Sequence, residues 1–260
     1  MPSVASHRRN TSKITRHRID ELKLGEDFEV IRIAERTLQY AVSTVVRRVR
    51  YNGGQGNAME RTPLIEQQGM TGSLILNVES VGLTSDQFLQ LCSDNRDLRF
   101  ELTARKALVI MPLPGANTSR RTAIITTELT IWARKDGTGI TFDSACWFIL
   151  PNGANRGPDA AWLKRERWDA LPAEAREKGA PLCPEFVVEL MSPSDRLAEQ
   201  KEKMEEYMAN GALLGWLIDP NRRTVYVYRR GSSLQTLENP STLSGEPVLP
   251  GFVFNISEIW

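Results

Sequence analysis

The run Pro184–Tyr207, PEFVVELMSPSDRLAEQKEKMEEY, leaves this chain the fewest ways to fold. Phe186, Val187, Val188 and Leu190 form an apolar stretch of strand type, with Glu189 as the one charge in its middle. Val and Phe favour a pleated, buried setting. A carboxylate placed there must be paired, hydrogen-bonded or bound to a cation, because desolvating it alone costs on the order of several kcal/mol. A Ser-Pro-Ser-Asp turn and a charged amphipathic helix follow. The plain alternative is a strand-end Glu that reaches solvent or pairs with a helix lysine. Thirty positions earlier, Pro158-Asp159 opens a second strand-like run, AAWL.

The chain has 260 residues, 41% of them apolar and 25% charged, the balance of an ordinary soluble protein with one sizeable domain and an appendage. Net charge is +1 but uneven. Residues 1–58 hold 11 Lys/Arg against 6 Asp/Glu, or +5, which leaves 22 against 26, or −4, for the rest. Both histidines, His7 and His17, fall in that first segment. The rest of the chain therefore cannot run a Ser-His-Asp hydrolase, a His-ligated zinc site or an imidazole base. Its chemistry must come from carboxylates, lysines and a bound cation. Cys92, Cys146 and Cys183 show no CxxC spacing, which points to a reducing compartment without a zinc site. No apolar run is long enough to span a membrane. A cytoplasmic protein that does not engage membranes is expected.

Residues 1–58 read as a basic, poorly ordered leader, either an upstream extension or an arm that touches nucleic acid. NGGQGN at 52–57 has linker composition, and 59–70 is drawn as linker. From residue 73 the texture is regular. Ser73–Gly82 reads as extended, Thr84 or Ser85 as a helix N-cap, and RFELT at 99–103 with ALVIMP at 107–112 as a strand pair. A helix is expected from about Ser119 to Arg134, stopped by Asp136-Gly137. Strands are expected at Ile140–Phe142 and Cys146–Leu150, and GWLI, DPNRR and VYVYR (215–229) read as a hairpin. Interspersed strands and helices, with several hairpins, predict a mixed-sheet α/β or α+β domain over 71–260.

Two carboxylates at the ends of neighbouring strands can share a hard divalent cation such as Mg²⁺, joined by a backbone carbonyl. Asp159 and Glu189 suit that arrangement, with Leu190 offering the carbonyl. A nearby lysine would orient a water or stabilise charge on a phosphate.

The longer strings FDSACWFILPNGANRGPDAAWL and LCPEFVVELMSPSDRLAEQKEKMEEYMANGALLGWLIDP, with VYVYR, LPGF and the upstream RFELT, resemble the Uma family of restriction endonucleases, within the PD-(D/E)XK nuclease superfamily. The resemblance covers about residues 75–255. It implies a restriction-endonuclease-like core with added β-hairpins, and metal-dependent hydrolysis of DNA phosphodiester bonds. It implies Mg²⁺, or Mn²⁺, as cofactor and DNA as partner, and leaves a homodimer open. Asp159 and Glu189 match its metal-binding pair, and Glu101 in RFELT matches an upstream acidic position, which the resemblance offers as an outer or additional ligand. The superfamily's lysine lies two residues after the acid, where this chain has Met191. In the resembling family it moves to the following helix, as Lys, three residues, then an aromatic. Lys203 with Tyr207 fits, and Lys201 stays open as the rival. Either could also be a solvated lysine paired with a Glu four residues away.

Ser192 and Ser194, lacking a histidine, read as helix caps with Asp195. Arg120-Arg121 reads as a surface pair before a phosphate contact, and Trp162, Trp168 and Trp216 as core. A nucleic-acid-binding or assembly protein that keeps the fold without turnover is the alternative, prompted by Met191 and the acidic main segment. A carboxylate-pair glycosidase ranks last.

Overall fold

The computed structural model of the protein describes residues 73–96, 98–111 and 113–260. The expected leader (1–58) and linker (59–70), and the first two residues of the domain drawn at 71, lie outside them.

Three sheets are present among the described residues. The central one has six strands in the order β11 (Gln235–Glu238), β10 (Thr224–Arg229), β9 (Leu214–Asp219), β8 (Phe186–Leu190), β7 (Ala160–Lys164) and β4 (Gly139–Asp143). Only β8 and β9 run parallel. A parallel pair needs a crossover, here supplied by the helix Leu197–Ala209 (α5). A five-stranded antiparallel sheet has the order β1 (Leu74–Asn77), β3 (Ala107–Met111), β2 (Arg99–Leu102), β6 (Asn155–Arg156) and β5 (Phe148–Ile149). The third sheet pairs β12 (Thr242–Ser244) with β13 (Val253–Asn255).

Every residue of β8 and β9 is buried, as a strand covered on both faces requires. Side-chain alternation splits β8 between two cores. Phe186, Val188 and Leu190 join Trp216, Ile218, Phe252 and Phe254 under the long helix Ala116–Asp136 (α2) and the C-terminal segment. Val187 joins Leu217, Phe148, Met204 and Tyr207 beneath α5. Glu189 is two residues from Val187, so alternation turns it to the α5 side as well. That single parity places an acid against a helix that carries lysines.

Most expected elements are present, with revised ends. The first extended piece stops at Asn77 and gives way to a 3-10 turn, Glu79–Val81. Thr84 caps the helix Ser85–Asp94 (α1) through a capping box with Gln87. Helix α2 begins at Ala116, earlier than expected, and Gly137 ends it at φ 75°, a left-handed conformation that glycine adopts without strain. The strand expected at 146–150 shortens to two residues, since Cys146 turns its amide back to the Asp143 carbonyl. The β9–β10 hairpin forms, and Asp219 accepts the amides of Asn221 and Arg222 in its turn. The expected serine caps do not. Arg196 occupies the N-cap of α5 without a side-chain bond, while Ser192 and Ser194 bond each other and Asp195 takes the Ser192 amide. Two short helices, Arg165–Asp169 (α3) and Ala173–Arg176 (α4), follow β7; Trp162 and Trp216 are buried, and Trp168 of α3 packs half-buried against Phe142. Arg121 donates to the Ile259 carbonyl, a structural bond, while Arg120 is exposed.

Candidate active site

Glu101 and Glu189 come from β2 and β8, Asp159 from the position just before β7, and the lysine from α5. Strands β7 and β8 are antiparallel, with Ala160 opposite Val188. The ladder ends at that pair, and Asp159, the residue before it, sits at the Glu189 end of β8, near enough for its charge to be felt at Glu189. The backbone confirms the approach: Asp159 N–H donates to the Val188 carbonyl at 2.9 Å, and Leu190 N–H donates to Asp159 Oδ2 at 2.8 Å. Met191 donates to the Ile218 carbonyl in the ladder with β9, which leaves the amide of Leu190 turned toward Asp159. Pro158 has no N–H with which to engage the end of β8.

Helix α5 turns Lys203, Met204 and Tyr207 inward. Lys203 Nζ lies 2.7 Å from Glu101 Oε1 and 2.8 Å from Glu189 Oε1. Tyr207 donates its hydroxyl to Glu189 Oε1 at 3.1 Å. The structure thus brings Lys203, and not Lys201, to the acids. Lys201 lies over the Tyr226 ring, 4.3 Å from its centroid.

Glu101, on β2, is fully engaged. Its Oε1 accepts from Lys203 and from the Gly157 amide at 3.0 Å, and its Oε2 from Arg156 Nη1 at 2.9 Å. Arg156 in turn reaches Glu206 Oε2 at 2.5 Å. Sequence reasoning missed Arg156 and Glu206. No local pattern links them to Glu101, although Glu206 precedes the family-matching Tyr207 and Arg156 stands three positions before Asp159. With both oxygens occupied, Glu101 acts as the anchor of Lys203, beside the position of a cation ligand.

Burial pushes the Glu101 carboxyl up, but the charges of Lys203 and Arg156 outweigh it and hold the group down at about 2. The balance reverses at Glu189. Burial, reinforced by Asp159 and Glu101, pushes it up to about 8 despite Lys203. Burial also raises Asp159, against the pull of the Leu190 amide. At Lys203 burial favours the neutral amine, yet Glu101 and Glu189 overcome it and raise the pKa, so the ammonium persists.

The donor set suits a hard cation. It is all oxygen, the surroundings disfavour the charged form of Asp159 and of Glu189, which a cation would restore, and Asp159 Oδ1 and Glu189 Oε2 accept no hydrogen bond from the described residues. No three Asp, Glu, His or Cys side chains among the described residues form a cage of their own. Two carboxylates with water and substrate filling the rest is the coordination Mg²⁺ prefers over an all-protein cage.

This mixed-sheet fold, with acids set against a helix lysine, has the layout of a restriction-endonuclease-like core. The sequence profile of the Uma2 family, described as "Putative restriction endonuclease", matches residues 85–257, and the chain belongs to that family. Among solved structures, it is similar to the crystal structure at 1.96 Å of a "putative nuclease belonging to DUF820" from Anabaena variabilis ATCC 29413. The two share 21% identity at a TM-score of 0.56, over 68% of this chain and 97% of that one, a likeness of fold. No curated protein matches the chain. Among the described residues, no helix is long and apolar enough to cross a membrane.

Proposed function

We propose that this protein is a metal-dependent endonuclease that hydrolyses phosphodiester bonds of DNA. The observation that carries the reading is the ammonium of Lys203, held between Glu101 and Glu189 where the Asp159 strand meets the Glu189 strand. Mg²⁺, or Mn²⁺, held by Asp159, Glu189 and the Leu190 carbonyl, would supply Lewis-acid stabilisation of charge on the phosphoryl oxygens.

The chain's own residues do the rest. A lysine ammonium has three donors, and two of those on Lys203 are engaged by carboxylates, which leaves one for the attacking water or a phosphoryl oxygen. In hydrolysis a water oxygen forms the new bond to phosphorus, the ester P–O bond breaks, and the leaving oxygen takes up a proton. Lys203 stabilises the charge that develops. Arg156 and Glu206 brace Glu101, and Tyr207 steadies Glu189. We place the activity in the cytoplasm, where the free thiols of Cys92, Cys146 and Cys183 stay reduced, and leave a homodimer as a possible assembly for sizing experiments.

The test incubates the purified full chain with plasmid DNA in Mg²⁺ or Mn²⁺, with and without EDTA, beside Asp159→Ala. Cleavage that needs the metal and the aspartate is expected. Failure to cut DNA or RNA across pH and salt would overturn the reading. Salt-dependent DNA binding without cleavage, unchanged in Asp159→Ala, would identify a binding protein instead.

A further inference from the structure

The cluster at Asp159 is strongly acidic, and a phosphodiester approaching it needs positive charge at the rim. Strand β2 supplies one. Glu101 faces Lys203, and strand alternation sends Arg99, two residues earlier, to the same face about 6.6 Å along the strand. Arg99 is half-buried, and its Nη2 donates to the Ser144 carbonyl at 2.7 Å. Ser144 directly follows Asp143, which pairs with Ala160, the neighbour of Asp159. The bond to Ser144 therefore pins the guanidinium near the acidic pair, close enough for its charge to be felt at Asp159.

One of five guanidinium donors accounts for the Ser144 bond. The others meet no partner among the described residues. Other cations are placed differently. Arg105 and Lys106 sit in the turn beyond the far end of β2, Lys201 is over Tyr226, and Arg196 pairs with Glu199 at 3.4 Å. A planar fork with free donors is the side chain best matched to phosphate oxygens. Gln200 lies one turn before Lys203 on α5, and its buried Oε1 has no hydrogen-bond partner among the described residues.

We infer that Arg99 is the phosphate-binding residue beside the acidic cluster, gripping the DNA backbone so that the scissile phosphodiester is presented to Asp159, Glu189 and Lys203. This rests on the nuclease reading and adds a role that the acids and the lysine do not fill. It also carries a signature that a structural arginine would lack. Removing a cation beside a cation site strengthens binding of a divalent metal, because like-charge repulsion is lost. Removing a phosphate grip weakens DNA. The two affinities should move in opposite directions.

The experiment uses the full chain and a fluorescein-labelled DNA duplex, with binding measured in Ca²⁺ over a salt series and Mg²⁺ binding read from its effect on melting. Arg99→Ala is expected to bind the duplex about tenfold more weakly, with a log–log salt slope shallower by about one. Half-saturation with Mg²⁺ should shift to lower concentration. Arg99→Lys should restore the slope but only part of the affinity, since the charge returns without the fork. If Arg99→Ala does not fold, Arg99→Gln carries the same comparison. Unchanged affinity and slope, in a chain whose parent binds and cuts DNA, would overturn the inference and leave the nuclease reading standing. Parallel loss of DNA and Mg²⁺ affinity would overturn it in favour of a structural role at Ser144. A parent chain that neither binds nor cuts DNA would remove the nuclease reading, and this inference with it.

Discussion

Strand β8 is bracketed by two buried carboxylates, and they have opposite surroundings. Glu185, just before the strand, is complete. Its Oε1 accepts from Arg167 Nη1 at 2.6 Å and its Oε2 from the Lys164 amide at 3.0 Å. Arg167 also ties down the Cys183 carbonyl, so this acid fastens the edge of β7 to the loop before β8. Glu189, near the other end, is crowded on one oxygen by Lys203 and Tyr207 and unbonded by described residues on the other, with the charge of Asp159 felt beside it. Both are equally buried, at 4% and 5% exposure. Burial therefore does not mark the site. What marks it is an acid with capacity left over, placed next to another acid.

The sharpest way to break this contrast is to remove each carboxylate in turn. Glu189→Ala, Asp159→Ala and Lys203→Met should each lower metal-dependent cleavage by about 100-fold or more. Lys203→Met should also destabilise the fold by about 3–5 kcal/mol, because Glu101 is left buried with one of its cations gone. Glu185→Ala should leave cleavage intact and lower stability by about 1–3 kcal/mol, through the unpaired Lys164 amide and Arg167. Plasmid cleavage and urea melts separate the two sets. An inactive but stable Glu185→Ala would mean that the contrast is misdrawn.

The second prediction uses pH, and the signs follow from the shifts. Glu189 has its folded value raised, to about 8 from an ordinary 4.5, so the folded protein holds this proton more tightly than the unfolded chain. Its contribution is full below about 4.5 and is lost as pH rises toward 8. Glu101 runs the other way: lowered to about 2, it contributes above 4.5 and loses that contribution as pH falls toward 2. Metal-free protein should thus become less stable between pH 5 and pH 8, in a step that Glu189→Gln removes. Added Mg²⁺ should restore the loss, by about 2.7 kcal/mol at 100 times its Kd. Thermal melts across pH, with EDTA or Mg²⁺, check it. A metal-free stability that is flat over this range in the parent chain would contradict the assignment of Glu189 as the incompletely satisfied acid.

How much of this was legible in the sequence depended on how local the cause is. The β8 strand, the Thr84 cap, the Gly137 stop and the β9–β10 hairpin each follow from a few adjacent residues, and each is present. Asp159 and Glu189 could be named because their strand signatures are local. Their meeting depends on a strand register that no short motif encodes. Arg156 was invisible for the same reason: it stands 55 residues from Glu101 and 50 from Glu206, and only the fold joins them. The serine caps failed through competition. Ser192 and Ser194 satisfy each other, and Asp195 bonds the Ser192 amide, so none is free to cap α5. The helix register was legible in outline: Tyr207, four residues after Lys203, is buried on α5, and Lys203 goes with it.

That register gives the smallest expected effect. Lys201 and Lys203 are two residues apart, about 200° around a helix, so one helix cannot present both to the acids. Lys203 is nine-tenths buried among carboxylates, whereas Lys201 rests its ammonium on the face of Tyr226, on β10. A cation over an aromatic ring at an accessible site contributes about 0.5–1 kcal/mol. Lys201→Met should therefore lower stability by no more than about that amount, keeping the aliphatic contact with the ring. Cleavage and its metal requirement should stay within about twofold of the parent chain, an ordinary margin for a residue outside the reacting groups. Kinetics of Lys201→Met beside Lys203→Met decide the matter. If Lys201→Met proves the more damaging of the two, the active protein uses the other face of α5, and the pairing of Lys203 with Glu101 and Glu189 is a structural clamp like the one at Glu185.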